Sequence, residues 1–198
     1  MEYCPELILQ IEQTRQRLKE FIRIGAVVEI PVSQDYVTFV DAADAVWVRE
    51  TSWLVRKSRR TFYAYTRKGS ALHRRILGIT NPKTLVDHRD GFGLNNTRDN
   101  IRLANFHQNA ANRRKISTST SSRFKGVIWQ ANTKTKPWMA HIKYKKKKLF
   151  LGRYKTEEEA ALAYNKAAIK YFGDFAKVND IDDGSTYYQQ LNPPSPVL

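Results

Sequence analysis

The stretch from Thr84 to Arg114 leaves the chain little freedom. It reads TLVDH, then RDGFGLNNTRD, then NIRLA and, after Asn105, FHQNAANRR. The second piece is built from Gly, Asn and Asp, which favour turns and left-handed backbone and break both helices and strands. Asn95, Asn96 and Asp99 read as turn-formers there, and Gly91 and Gly93 serve the same loop. TLVDH and NIRLA read as short strands and FHQNAANRR as a polar helix. Strand, loop, strand and helix in under 35 residues predict a compact ββα unit. On that helix Asn109, Asn112 and Arg113 share a face at i, i+3 and i+4. A helix folded across the hairpin would bring Asn109 beside Asp87 and His88.

The flanks predict an α+β chain. Residues 5–23 read as an amphipathic helix, with Leu7, Ile11, Leu18 and Ile22 on one stripe and Gly25 closing it. VVEIPV, YVTFV, AVWV, SWLV and FYAY then predict a small sheet over 27–65, with turns at Ser33–Asp35 and Lys57–Arg60. This region reads as scaffold, with contact to a DNA backbone as the sharper alternative. A helix is expected at 70–77. KISTSTSS, at 115–122, offers no core and reads as a linker. Beyond it come strands at 124–130, 137–144 and 148–154 and a helix at 157–172. Thr156 and Glu159 would form a capping box there, with Gly173 at the stop. Ala160, Ala163, Tyr164, Ala167 and Tyr171 share one face of that helix, small enough to lie close on a sheet. The predicted order is an N-terminal region at 1–66, a ββα unit at 67–116, a linker at 117–122, a sheet-and-helix module at 123–179 and a tail at 180–198.

Charge follows these boundaries. Residues 1–60 carry nine cations and nine acids, 61–116 eleven and three, 117–179 fourteen and four, and 180–198 no cation and three Asp, in a chain of net charge +15. An excess that begins with the motifs points to a phosphate-bearing partner. The alternative, a merely solvated basic face, suits short runs better than two consecutive segments. One cysteine, Cys4, excludes an internal disulfide and a Cys-rich zinc site and suits a reducing compartment. No apolar run approaches a membrane span, and the start lacks signal-peptide features, so the expected setting is cytoplasmic and not secreted.

The chemistry available at 84–114 is metal-assisted phosphodiester hydrolysis. Asp87 and Asn109 offer hard oxygen ligands suited to magnesium. A neutral His88 beside the ion can take a proton from the attacking water near neutral pH. His73-Arg74, Val86-Asp87-His88, Asp90-Gly91, Asn95-Asn96, Asn100-Ile101-Arg102, Gln108-Asn109 and Asn112-Arg113 together closely resemble the HNH endonuclease motif, in the form found in phage and intron-borne homing endonucleases. The resemblance implies His88 as general base, Asp87 and Asn109 as metal ligands, and Asn100 as the side chain that ties the loop together through backbone hydrogen bonds. Asn109 stands where other branches have His, which favours Mg2+ or Mn2+ over tight zinc binding. His73 reads either as orienting the site or as a packed helical His. His107 reads as a phosphate contact or, more plainly, an idle surface residue.

In the C-terminal module, alternation along PWMAHIKY sets Trp138, Ala140 and Ile142 on one side and Met139, His141 and Lys143 on the other. The first side should meet the Ala-rich helix. The second, with Lys148 and Phe150 of the next strand, would face a DNA major groove. Phe124-Lys125-Gly126-Val127, Leu151-Gly152-Arg153-Tyr154 and the helix from Thr156 resemble the plant ethylene-response-factor DNA-binding domain. Carried over, DNA contacts fall on Lys125, Lys143, Lys148 and Phe150, and Arg113, His141 and Arg153 are counted with them. Lys stands where that family favours Arg, which implies weaker discrimination among bases. Trp129 and Trp138 are expected in the core. Lys145–Lys148 read as a hairpin turn touching phosphate, with a solvated turn as the rival.

The resulting expectation is a site-directed DNA endonuclease with one divalent metal, acting on double-stranded DNA as a monomer or weak dimer. It needs no membrane and no small-molecule cofactor, and it nicks one strand per engagement. The alternative is a non-catalytic, sequence-specific DNA-binding regulator with a residual HNH scaffold.

Overall fold

The computed structural model describes residues 4–33, 36–58, 61–115, 121–133 and 135–181. Parts of both N-terminal turns, most of the expected linker and nearly all of the tail lie outside the described residues. The chain forms two compact units that divide between Asn109 and Ala110. Both are mixtures of helices and small antiparallel sheets, as the α+β expectation required.

In the first unit, the expected helix at 5–23 is two pieces, α1 (Pro5–Arg17) and α2 (Lys19–Arg23). Leu18 relaxes out of helical geometry, while backbone bonds from Leu18 to Thr14 and from Ile22 to Leu18 continue through the joint. Gly25, at φ +74°, ends it, and the Ala26 amide reaches back to the Phe21 carbonyl. That is the left-handed stop only glycine enters without strain. β1 (Val27–Pro31) and β2 (Val37–Asp41) pair antiparallel.

The AVWV run expected as a strand is instead part of a helix, α3 (Ala42–Arg49). Four apolar residues do not distinguish the two periods. The surrounding AADAVWVR does, because Asp44, Ala45 and Val48 fall on one buried helical face.

β3 (Leu54–Lys57) and β4 (Phe62–Tyr65) form a second ribbon, so the expected single sheet is two separate pairs. The reason lies at the outer edge of β2. There the Phe39 amide bonds to the Leu94 carbonyl and the Asn96 amide to the Phe39 carbonyl. A loop from the middle of the sequence takes the place a third strand would have filled.

α4 (Leu72–Ile76) precedes β5 (Leu85–His88), which pairs with β6 (Ile101–Ala104), and α5 (Phe106–Ala111) follows. One hydrophobic core takes in Leu7, Ile30, Phe39, Val48, Val55, Leu72, Leu94 and Ile101. It runs unbroken across residue 66.

The second unit has a sheet of β7 (Val127–Trp129), β8 (Trp138–Tyr144) and β9 (Lys147–Tyr154), in that order. α6 (Glu157–Phe172) packs on it and carries both halves of the Thr156–Glu159 capping box. Ala160, Ala161, Tyr164, Asn165, Ala167 and Ala168 are buried, while Ala163 and Tyr171 of the expected face are only half-buried; the buried alanines and Tyr164 lie on Val127, Ala140 and Ile142. Gly126 shows how close the layers come. A Cβ there would sit 2.0 Å from the Tyr164 ring and 2.6 Å from the His141 carbonyl, and its φ of +77° is left-handed as well. Trp138 is half-buried against the core. Trp129, also expected in the core, is 47% exposed, because it ends the short β7 beyond the reach of the packed helix face.

Candidate active site and nucleic-acid interface

The loop between β5 and β6 is not a solvated turn. Phe92, Leu94, Asn95, Asn96 and Thr97 are all buried. Buried amides must find partners, and these do so in an ordered way. Asn100 accepts from the Asp90 amide at 3.1 Å and donates to the Asn95 carbonyl at 2.7 Å and the Asp90 carboxylate at 3.1 Å. Asp90 also receives the Phe92 amide, the Asn95 side chain and Arg17 from α1. Gly93 donates to Thr61 Oγ1 at 2.9 Å, and a Cβ there would come within 2.4 Å of the Phe62 carbonyl and the Tyr63 ring. Any larger residue would push the loop off β4.

Asn96, read in the sequence as a turn-former, is fully buried and has a different task. Its Nδ2 donates to Thr38 Oγ1 at 2.8 Å, and Thr38 in turn donates to the Leu94 carbonyl at 2.8 Å. That directs Asn96 Oδ1 at His88 Nε2, 3.3 Å away. The network therefore assigns the proton to Nε2 and leaves the lone pair of the neutral ring on Nδ1. The His88 ring is flanked by His73, edge-on with centroids 5.1 Å apart, and by Tyr63 at 5.6 Å.

Burial pushes the His88 imidazolium below the ordinary histidine range, against the Asn96 bond and the Asp90 and Asp87 charges, which favour it. His73 is pushed down to about 3 by burial, with His88 and Arg74 acting in the same direction. Both rings are thus neutral near pH 7.

Asp87 is 5% exposed and lies opposite Arg102 on the β5–β6 hairpin. Arg102 Nη2 and Nε both donate to Asp87 Oδ2, at 2.8 and 3.0 Å, which anchors that oxygen. Asn109 sits half-buried on α5, its amide bonded to the Asn105 carbonyl. Reciprocal bonds between Asn105 and Gln108 cap that helix. Among the described residues Asn109 makes no hydrogen bond to Asp87 or His88, and no group of three His, Cys, Asp or Glu side chains is placed to hold an ion. The donor set of one carboxylate and one amide oxygen fits a hard divalent cation that keeps most of its waters. It does not fit a closed zinc cage.

Sequence reasoning singled out Asp87, His88, Asn100, His73 and Asn109, and the structure sets His73 against His88 and Asn100 within the loop. It took Asn96 for a turn-former, placed Arg102 in the motif without a role of its own, and passed over Thr38 and Tyr63. Arg102 had a signal, since a hairpin closing at His88 and Ile101 places it opposite Asp87. Thr38 and Tyr63 had none. His107 is exposed.

In the second unit the expected outer face forms. His141 pairs with Phe150 and Lys143 with Lys148 across β8 and β9, and Met139 pairs with Arg153. Lys143, Lys148 and Phe150 are exposed, Phe150 by 64%. His141 is half-buried, with Nδ1 lacking a partner among the described residues, and burial, then Lys148 and Lys115, lower its pKa. It joins the face as a neutral ring. Arg153 is half-buried, with Thr133 Oγ1 at 3.5 Å. Arg113 is exposed. The Lys125 ammonium donates to the carbonyls of Ala111 and Arg113 at 2.5 and 2.8 Å.

Fold and site together describe an α+β protein with a buried, hydrogen-bonded histidine at the end of one strand of a β-hairpin and a basic antiparallel sheet. The chain is 34% identical over 181 residues to an uncharacterized HNH endonuclease of Acanthamoeba polyphaga mimivirus, covering 86% of this chain and 91% of that one. The protein belongs to the HNH endonuclease family. It is also 31% identical over 103 residues to an ethylene-responsive transcription factor of Arabidopsis thaliana, covering 48% of this chain and 58% of that protein. No family model matches the sequence and no solved structure matches the chain.

Proposed function

We propose that the protein is a divalent-metal-dependent endonuclease that nicks double-stranded DNA, with His88 as general base. The observation that carries this is the relay from Leu94 through Thr38 and Asn96 to His88, which presents a neutral imidazole with its lone pair on Nδ1. A scaffold kept only for binding has no need of a base held in one tautomer.

β5 through α5 serve as the ββα-metal unit of the family. Asp87 and Asn109 would hold Mg2+ or Mn2+, which when bound offsets charge on the phosphate and on the departing 3′ oxygen. Arg102 orients Asp87 for that role. His88 takes the proton of the attacking water, and its depressed pKa keeps it unprotonated below neutral pH. Asn100 holds the loop that carries Asn96. The face of Lys143, Lys148 and Phe150 serves as an ethylene-response-factor-type contact to duplex DNA. A single centre with one base would cut one strand per engagement.

Plasmid nicking by the wild type and by His88→Ala, with magnesium, manganese or EDTA, tests this. Nicked circles should form with either metal and not with EDTA. The variant should lose about 10²–10⁴-fold in rate, while its DNA affinity stays near the wild type. Linear product at low enzyme would refute the single-strand step. Loss of affinity together with cutting would make His88 structural.

A further inference from the structure

The first 53 residues carry five Lys and Arg against nine Asp and Glu, whereas residues 54–86 carry nine Lys and Arg and no acid. This reversal begins with the β3–β4 ribbon and stops at Asp87. Val55 and Ala64 of the ribbon face the core at 3% and 1% exposure. The alternate residues Leu54, Arg56, Tyr63 and Tyr65 therefore form the opposite face, with Leu54 opposite Tyr65 and Arg56 opposite Tyr63, the latter half-buried beside Gly93.

The Arg56 guanidinium lies over the Tyr65 ring at 5.3 Å. Arg67 and Lys68 follow in an exposed turn closed by bonds between Thr66 and Ser70. Among the described residues, Arg56, Arg67, Lys68 and Lys83 are exposed and none is in an ion pair, whereas Arg15, Arg17 and Arg23 of the preceding helices all meet carboxylates.

This face also leads to the candidate base. Tyr65 stands 6.4 Å from Tyr63, and Tyr63 stands 5.4 Å from His73 and 5.6 Å from His88, centroid to centroid. Beside this line of rings, β4, α4 and β5 wall an open cleft of about 800 Å³ lined by Tyr63, Tyr65, Ser70, His73 and Val86. Exposed cations spaced along aromatic faces are what a nucleic-acid strand binds, with phosphates on the cations and sugars or bases on the rings.

We propose that the Arg56 face of the β3–β4 ribbon and the 66–70 turn form a second DNA-contacting surface, which seats the strand next to the phosphate being cut. The proposal rests on the endonuclease reading for its placement at the cut and on charge and ring geometry for its contact with DNA. The ribbon holds the scissile strand in register with His88, a task separate from that of the C-terminal sheet.

The test compares full-length wild type, the triple variant Arg56→Gln/Arg67→Gln/Lys68→Gln and the double variant Lys143→Gln/Lys148→Gln. Affinity for a short random-sequence duplex is measured in EDTA across a salt series, and plasmid nicking is measured at saturating protein. All the substituted side chains are exposed, and circular dichroism checks that each variant is folded. The triple variant should flatten the salt slope by about 2–3, since each phosphate contact adds about 0.9. It should also nick at least about tenfold more slowly at saturation, as expected for a strand held out of line. The double variant should lose affinity yet recover its rate at saturation. An unchanged slope and rate in the triple variant, beside a wild type that nicks, would overturn the ribbon and spare the nuclease. A flattened slope with an unchanged saturated rate would overturn the placement at the cut. A wild type that binds with the expected slope difference and never nicks would sink the nuclease reading and leave the ribbon as a DNA surface.

Discussion

The histidine site of the first unit and the sheet face of the second treat their polar residues in opposite ways. In the first, the residues offered for chemistry are withdrawn from water and tied to one another. His88, Asp87, Asn96 and Asn100 are each under 7% exposed, and each has a named partner. In the second, Lys143, Lys148 and Phe150 stand out in solvent on a regular sheet. A proton acceptor needs one orientation and one tautomer, and a low-dielectric hydrogen-bond network provides both. A cation meeting phosphate needs reach and charge, which burial would remove. The contrast is one of chemistry, and it can be broken from either side.

After the loss of His88 itself, the largest effect should come from cutting the relay. Asn96→Ala strands Thr38 and the His88 Nε2 proton in a buried site. It should cost about 1–3 kcal/mol of stability and about 10–100-fold in nicking, the range typical for a residue that orients a functional side chain. Melting curves and nicking rates check it together. A variant with normal activity would show that His88 does not depend on Asn96.

Next comes acid. His73 has a folded pKa of about 3 against the ordinary 6.5. Between those values the unfolded chain binds a proton that the folded chain refuses. Its contribution to stability is thus complete above pH 6.5 and falls as pH drops towards 3, by up to about 1.4 kcal/mol per pH unit. His73→Phe should flatten the dependence of the melting temperature on pH between 7 and 5. An equally steep slope in the variant would place the acid sensitivity elsewhere.

On the exposed side, single changes should be gentler. Lys143→Gln or Lys148→Gln should each lower the salt slope of DNA binding by about 1 and leave the melting temperature within the small range of surface changes. A large loss of stability from either would mean that the sheet face is less independent of the core than its exposure indicates.

The smallest expected effect lies in the turn between β8 and β9. Lys145 and Lys146 adopt φ of +46° and +67°, in a two-residue hairpin that favours Asn-Gly. Lys145→Asn with Lys146→Gly should therefore raise stability by about 1 kcal/mol. If the same pair also weakens DNA binding, the turn touches phosphate. Unchanged binding would make it a solvated turn.

Much of this is legible in the sequence. The cap at Thr156, the strands of the C-terminal sheet and their facing were legible because they follow local rules: a side chain reaching three residues along, or alternation at period two. The stretch from Asp87 to Asn109 stood out because its spacing is compact and specific. The AVWV run reads as a strand but folds as helix because a short apolar run has no period of its own, and only the buried face shared by Asp44 and Val48 reveals it. Trp129 reads as core but stands exposed because residue type does not report where a packed face ends.

What the sequence determined by itself, then, was the inventory: which segments turn, which alternate, where the charge lies and where a polar cluster from Asp87 to Asn109 falls. What only the tertiary structure decided was how that chemistry is held. Asn96 became the orienter of His88 because Thr38, 58 residues earlier, stands behind it. Tyr63 reached the histidines because the β5–β6 loop took the open edge of β2 and closed the core around them. Contacts across such distances leave no local pattern, because packing satisfies a buried amide with whichever polar atom the fold brings near.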